Sequence, residues 1–122
     1  MNLKANEFSV KKGDFMRTVI ANAFSVNMLK QDSMLFFAQI TLNIAMFMIS
    51  DSSNIYSIVG HQSTADLLSA KLGCDIPLNR ENYKKEKDDR IIVCLPDTRL
   101  KEGEVLSKEE LSRINVKFWL IK

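Results

Sequence analysis

The sequence predicts an α/β domain: one compact unit with a mixed β-sheet of about five strands and two or three short flanking helices. Three observations carry this expectation. Short apolar runs rich in β-branched residues recur at positions 18–21, 91–93 and 116–121, as strands require. Between them lie segments with helix start and stop signals. The length of 122 residues suits a single domain with a modest core.

Taken in order, residues 1–15 are polar and weakly patterned and read as an N-terminal extension, with the domain spanning 16–122. Positions 18–21 form a short strand. It runs into Asn22-Ala23-Phe24-Ser25, where Ser25 can cap a helical turn through Val26, Asn27, Met28 and Leu29. The apolar run from Met34 to Ile49 is too long for one exposed strand. A buried strand followed by a second strand or a short helix fits it, and periodicity does not decide between them. Asp51-Ser52-Ser53-Asn54 is a turn. A helix follows over 63–72, with Ala65, Leu67, Leu68 and Leu72 near helical spacing and Gly73 as its stop.

Positions 83–95 read as a hairpin turning at 86–89, with Ile91, Ile92 and Val93 on the return strand and Pro96 ending it. Ser107 with Glu110 three residues on is a capping box that opens a helix over 108–113. The closing strand, 116–121, has Phe118 and Leu120 on one face and Trp119 and Ile121 on the other. Two apolar faces predict an interior strand.

Hydrophobic residues at 46% and charged residues at 26% are the ordinary balance of a globular protein. A net charge of +2 supplies no global basic field for duplex nucleic acid, so stable duplex DNA binding is not expected. Residues 31–70 hold three Asp and neither Lys nor Arg. That stretch is the expected core, and phosphate-handling cations must come from elsewhere. Cys74 and Cys94 lack C-x-x-C spacing, and the chain has one histidine. A Cys/His zinc site therefore lacks ligands, and no metal or cofactor is expected. Both cysteines read as buried thiols of a reducing cytoplasm. The longest apolar run falls short of the roughly 18 residues of a membrane span, and no signal-peptide pattern opens the chain. A cytoplasmic location follows as an expectation.

Three polar islands interrupt this apolar scaffold. The first is the turn 22–25, where backbone N–H groups and the Asn22 and Ser25 side chains can cradle an anion. The second is Gly60-His61-Gln62-Ser63-Thr64. Here the sole histidine stands between a glycine, which permits close approach, and a Ser-Thr pair opening a helix. Imidazole can donate or accept a proton in phosphodiester cleavage; the plainer reading is a histidine that caps the turn. The third is the loop Asp97-Thr98-Arg99-Leu100-Lys101-Glu102-Gly103. Arg99 offers bidentate contacts to phosphate, and Glu102 a carboxylate that could hold His61; the plainer reading is a solvated ion pair. Arg80, after Asn79, is a fourth candidate for phosphate contact.

Together these islands resemble the viral ring nucleases, anti-CRISPR enzymes of archaeal viruses and phages that act against type III immunity. The resemblance rests on Ala21-Asn22-Ala23-Phe24-Ser25-Val26-Asn27-Met28-Leu29, Gly60-His61-Gln62-Ser63-Thr64, Asn79-Arg80 and Arg99-Leu100-Lys101-Glu102-Gly103, in the family's order. It covers the chain from about Arg17 onward. Gln62 departs from the pattern, where members often have Asp, as does the run Pro96-Asp97-Thr98 before the arginine.

The resemblance implies a homodimer that binds cyclic tetra-adenylate at the subunit interface in the host cytoplasm. It also implies metal-independent cleavage of that ring to short linear oligoadenylates with 2′,3′-cyclic phosphate ends. His61 would be the general acid, Glu102 its catalytic partner, and Arg99 a phosphate ligand that also assists catalysis. Asn22, Ser25, Ser63, Thr64 and Arg80 would line the ligand site. Two other readings stand beside this one: a small viral nucleic-acid-binding regulator, and a non-catalytic protein that holds the cyclic nucleotide. The first needs a basic face or recognition helix, and the helix at 108–113 balances two cations with two Glu.

Overall fold

The computed structural model describes residues 17–101 and 103–122. The expected extension at 1–15 and the residue Glu102 lie outside the described residues.

Five strands form one sheet: β1 (Thr18–Ala21), β2 (Phe37–Ile40), β3 (Ile55–Ser57), β4 (Arg90–Pro96) and β5 (Val116–Ile121). Their spatial order is β2-β5-β4-β1-β3. β1 pairs in parallel with β3 and β4, with Ile20 opposite Ser57 and Ile92. β5 runs antiparallel to both β4 and β2, with Phe118 opposite Cys94 and Ile40. Strands β1 to β4 therefore all point the same way, and β5 alone runs against them. β1 is buried along its whole length, which suits β-branched residues flanked by parallel neighbours. β5 lies inside the sheet, as its two apolar faces predict.

Three α-helices complete the unit: α1 (Leu42–Asp51), α2 (Gln62–Leu72) and α3 (Lys108–Arg113). Their ends follow local chemistry. The Thr41 hydroxyl accepts from the Ile44 N–H at the start of α1. Gly73 closes α2 in the left-handed conformation, with φ of 73°, where glycine carries no Cβ penalty. Ser107 and Glu110 make the expected reciprocal capping box on α3. A 3-10 turn over Val26–Met28 is capped by Ser25, whose hydroxyl accepts from the Asn27 N–H.

Both faces of the sheet are apolar, but they are covered differently. On one face Ile20, Ile92, Cys94 and Phe118 pack against Ala45 and Ile49 of α1 and Ala65, Leu68 and Leu72 of α2. On the other, Val19, Ala21, Ile91, Val93 and Ile121 meet Tyr83 and the half-buried Phe24, Met28, Leu35, Tyr56 and Trp119. Among the described residues, loops and the Val26–Met28 turn rather than α-helices cover that second face.

Three expectations are corrected. Residues 31–70 are not uniformly core, and β2 is not a buried strand. β2 is an edge strand with Phe37 exposed, and α1 buries only Ala45 and Ile49, one turn apart. Leu42, Ile44, Met46 and Phe47 face outward, because α1 has a single neighbouring layer. Positions 83–95 are not a hairpin. A turn does fall at 86–89, but β4 has its two pairing edges filled by β1 and β5. Cys74 is half-buried rather than buried; Cys94 is buried, both are free thiols, and burial pushes Cys94 up to about 12.

What holds residues 83–89 is a carboxylate. Asp89, buried at the head of β4, accepts hydrogen bonds from Arg17 Nε and Nη2, at 3.0 and 2.8 Å. It also accepts the Tyr83 hydroxyl at 2.5 Å and the Glu86 N–H at 3.0 Å. The Arg17 guanidinium lies 4.5 Å from the centre of the Tyr56 ring. Burial alone would raise the Asp89 carboxyl. The hydrogen bonds from Arg17, Tyr83 and Glu86, with the Arg17 charge, outweigh it and hold the group below the usual carboxylate range. Burial first, and then Asp89, raise the Tyr83 phenol far above its usual range.

Candidate functional site at the carboxyl edge of the sheet

Because β1 to β4 are co-directional, their carboxyl ends share one edge. Asn22 follows β1, Thr41 follows β2, Gly60 and His61 lie just beyond β3, and Asp97 to Arg99 follow β4. In open α/β sheets this is the edge where ligands bind. Both α1 and α2 begin there, and neither has an acidic residue in its first turn. Two helix N-termini thus turn their positive ends toward the same edge, which favours an anion.

The islands at 22 and 60 meet directly. The Gly60 N–H donates to Asn22 Oδ1 at 3.3 Å, and Arg80 Nε donates to the Gly60 carbonyl at 2.7 Å. Gly60 is therefore clamped between two of the expected ligand residues. A Cβ at Gly60 would meet only Arg80 Cγ, at 3.8 Å, an ordinary contact. The chain's own packing does not demand glycine at this position.

His61 is the N-cap residue of α2, with extended backbone, and its side chain makes no capping hydrogen bond. The imidazole itself therefore supplies no hydrogen bond to the helix start. The residue is exposed at the edge. Ser63 and Thr64, in contrast, are buried. The Ser63 hydroxyl lies 2.7 Å from the Lys101 carbonyl and 3.1 Å from that of Glu104, and donates toward both. This ties the loop after β4 onto the first turn of α2. The loop bends at Gly103, φ 81°, and Glu104 Oε1 accepts the Lys101 N–H at 3.2 Å. Arg99 stands exposed before this segment.

The structure thus joins Asn22, Gly60 and Arg80 through hydrogen bonds, and joins Ser63 to the loop 101–104. Ser25 is exposed and engaged in capping its own turn. Sequence reasoning gave Asn79 no role of its own, yet it fixes the approach of Arg80. Its N–H donates to the Val59 carbonyl at 2.9 Å, and its side-chain amide to the Ser57 carbonyl at 2.8 Å and to Glu81 at 3.0 Å. Its only signal in sequence was its place before Arg80. Among the described residues no three His, Cys, Asp or Glu side chains converge on a metal-sized site. Nor is any described helix long and apolar enough to cross a membrane.

Relatives agree with this layout of elements. A family model described as STIV B116-like matches residues 18–118. The chain belongs to the STIV B116-like family. Uncharacterized protein 26 of Sulfolobus islandicus filamentous virus is 33% identical over 73 residues, 59% of this chain and 62% of that protein. Uncharacterized protein ORF116 of Acidianus filamentous virus 1 is 29% identical over 100 residues, 81% of this chain and 85% of its own length. Among solved structures, B116 of Sulfolobus turreted icosahedral virus superposes with a TM-score of 0.71 at 24% identity. That match covers 86% of this chain and 97% of B116, and establishes the shared α/β fold. The relatives named here are proteins of archaeal viruses.

Proposed function

We propose that this B116-like chain is a metal-independent ring nuclease that opens cyclic tetra-adenylate, with His61 as the acid. One observation carries the reading. The Ser63 hydroxyl ties the loop after β4, at Lys101 and Glu104, to the helix start that carries His61, beside the Asn22–Gly60–Arg80 clamp.

RNA carries its own nucleophile, so the protein has to supply geometry and a proton. The 2′-oxygen bonds to the adjacent phosphorus and gives up its proton to water. The phosphorus–5′-oxygen bond breaks, and the departing 5′-oxygen takes a proton from the His61 imidazole. A 2′,3′-cyclic phosphate and a 5′-hydroxyl result. Arg99 and Arg80 neutralise phosphate, the two helix N-termini add their dipoles, and Glu102 is the partner of the imidazole. A cyclic tetranucleotide has two-fold symmetry. A two-fold dimer would present identical His61 groups to opposite phosphates and release two dinucleotides. The outward apolar residues Leu42, Ile44, Met46 and Phe47 of α1 support association, since monomers rarely expose such a cluster.

Two results are expected. Light scattering should report a dimer; a monomer that still cleaves the ring would remove the shared-site arrangement. Gly60→Ala should leave the melting temperature almost unchanged, because its Cβ meets only an ordinary contact. The added methyl should still weaken binding of the ring if phosphate approaches the backbone between Asn22 and Arg80. Equal affinity in the variant, measured by calorimetry, would place the phosphate elsewhere.

A further inference from the structure

Arg80 stands between two anchored residues, and the anchor that follows it is an acid. Before it, the Asn79 N–H donates to the Val59 carbonyl at 2.9 Å and fixes the chain beside the end of β3. The Asn79 side-chain amide is divided between the Ser57 carbonyl at 2.8 Å and Glu81 Oε1 at 3.0 Å. That same Glu81 oxygen accepts the Tyr56 hydroxyl. Tyr56 is the middle residue of β3, paired with Val19, and its ring carries the Arg17 guanidinium at 4.5 Å. Strand pairing and a cation–π contact therefore hold the phenol that holds Glu81.

An acid is electrostatically the wrong residue to set beside an anion site. Glu81 is exposed and adjoins Arg80 in the chain, where its charge opposes a phosphate. The hydrogen bonds give the reason for an acceptor there. An asparagine amide has two N–H groups; here Ser57 takes one and Glu81 takes the other. With both engaged, the amide plane is fixed, and with it the root of the Arg80 side chain, whose Nε reaches the Gly60 carbonyl at 2.7 Å. We propose that Glu81 is a positioning residue, held by Tyr56 and acting through Asn79, that aims Arg80 at a phosphate. This rests on the reading that Arg80 meets a ring phosphate at the carboxyl edge, and it adds that the arginine is aimed before the ligand arrives.

Charge and positioning predict opposite signs. Removing an acid beside an anion site strengthens binding if charge alone counts, whereas losing the aim of Arg80 weakens it. Glu81→Ala should weaken binding of cyclic tetra-adenylate about threefold to tenfold, the cost of immobilising one long side chain on binding. The single-turnover rate of the saturated protein should change little. Glu81→Gln keeps an acceptor for Asn79 and Tyr56 without the charge, and should bind at least as tightly as wild type. Tyr56→Phe keeps the ring beneath Arg17 and loses only the hydroxyl, so it should weaken binding in the same direction as Glu81→Ala. In an Arg80→Ala background, Glu81→Ala should weaken binding no further, because the residue it serves is gone.

Calorimetry on the full chain reads these affinities, and heteronuclear NMR of the arginine Nε–H signals reads the aim of Arg80 with no ligand present. Exchange of the Arg80 Nε–H with water should quicken in Glu81→Ala and recover in Glu81→Gln. Tighter binding by Glu81→Ala, equal weakening with and without Arg80, or an Nε–H indifferent to Glu81 would overturn the proposal. Arg80→Ala that binds the ring as wild type does would instead sink the phosphate reading at Arg80. The exchange rates would still decide whether Glu81 positions the arginine.

Discussion

Replacing His61 with Ala is expected to slow ring opening at least about a hundredfold, the low end for loss of general acid catalysis. Affinity for cyclic tetra-adenylate should change little, because Arg99, Arg80 and the backbone around Gly60 would carry most of the binding. His61 is exposed and its side chain makes no capping hydrogen bond to α2, so the variant does not remove a helix cap. Arg99→Ala should behave differently and weaken both binding and rate, since a lost phosphate contact acts before and during the chemical step. Single-turnover rates with calorimetric affinities separate the two patterns. A correctly folded His61→Ala protein with normal turnover would place the proton donor elsewhere.

The largest effect on stability is expected at Asp89. Asp89→Asn keeps the shape but removes the charge that pairs with Arg17 and accepts from Tyr83 and Glu86. Breaking a buried, multiply hydrogen-bonded pair costs about 3 kcal/mol, roughly 10–15 °C in melting temperature for a domain of this size. The pH dependence has a definite sign. The folded carboxyl titrates below its unfolded value, so above about pH 4 the group is ionised in both the folded and the unfolded chain. The stabilisation is fully present there and is lost as pH falls through the folded value. Wild type should therefore lead Asp89→Asn at neutral pH, and the lead should shrink as pH falls below about 4. Thermal melts across pH test this; a constant gap down to pH 2 would show that the carboxylate's charge is not what matters.

Much of the fold was legible because its signals are local. Gly73 marked the end of α2, Ser107 with Glu110 marked the start of α3, and the β-branched run at 91–93 marked β4. What sequence did not reveal was which apolar residues would find a neighbour. Ile49 and Phe47 look equivalent along the chain, yet one is core and the other faces outward, because coverage depends on where a second layer sits. The false hairpin at 83–95 has a related cause. Its turn was read correctly, but β4 pairs with β1, 72 positions earlier in register, and with β5, from Val116 opposite Pro96 to Ile121 opposite Ile91, which no local pattern encodes.

The candidate site was legible as residue types and less so as roles. Asn22 and Arg80 were singled out from the chain, and the structure shows them meeting across Gly60. In sequence Ser63 reads as lining the ligand site, and its hydroxyl donates to the carbonyls of Lys101 and Glu104. That tie spans about forty residues of chain, and no spacing rule anticipates it. It also ties the loop after β4 to the first turn of α2, which His61 precedes.

The most direct measurement is incubation of the purified full chain with cyclic tetra-adenylate in the presence of EDTA, with products resolved by chromatography. The ring is expected to be consumed to linear dinucleotides bearing 2′,3′-cyclic phosphates, at a rate unaffected by the chelator and at least about a hundredfold lower in His61→Ala. Ring that binds but persists intact would make this chain a holder of the cyclic nucleotide rather than an enzyme. Ring that neither binds nor changes would contradict the central claim altogether.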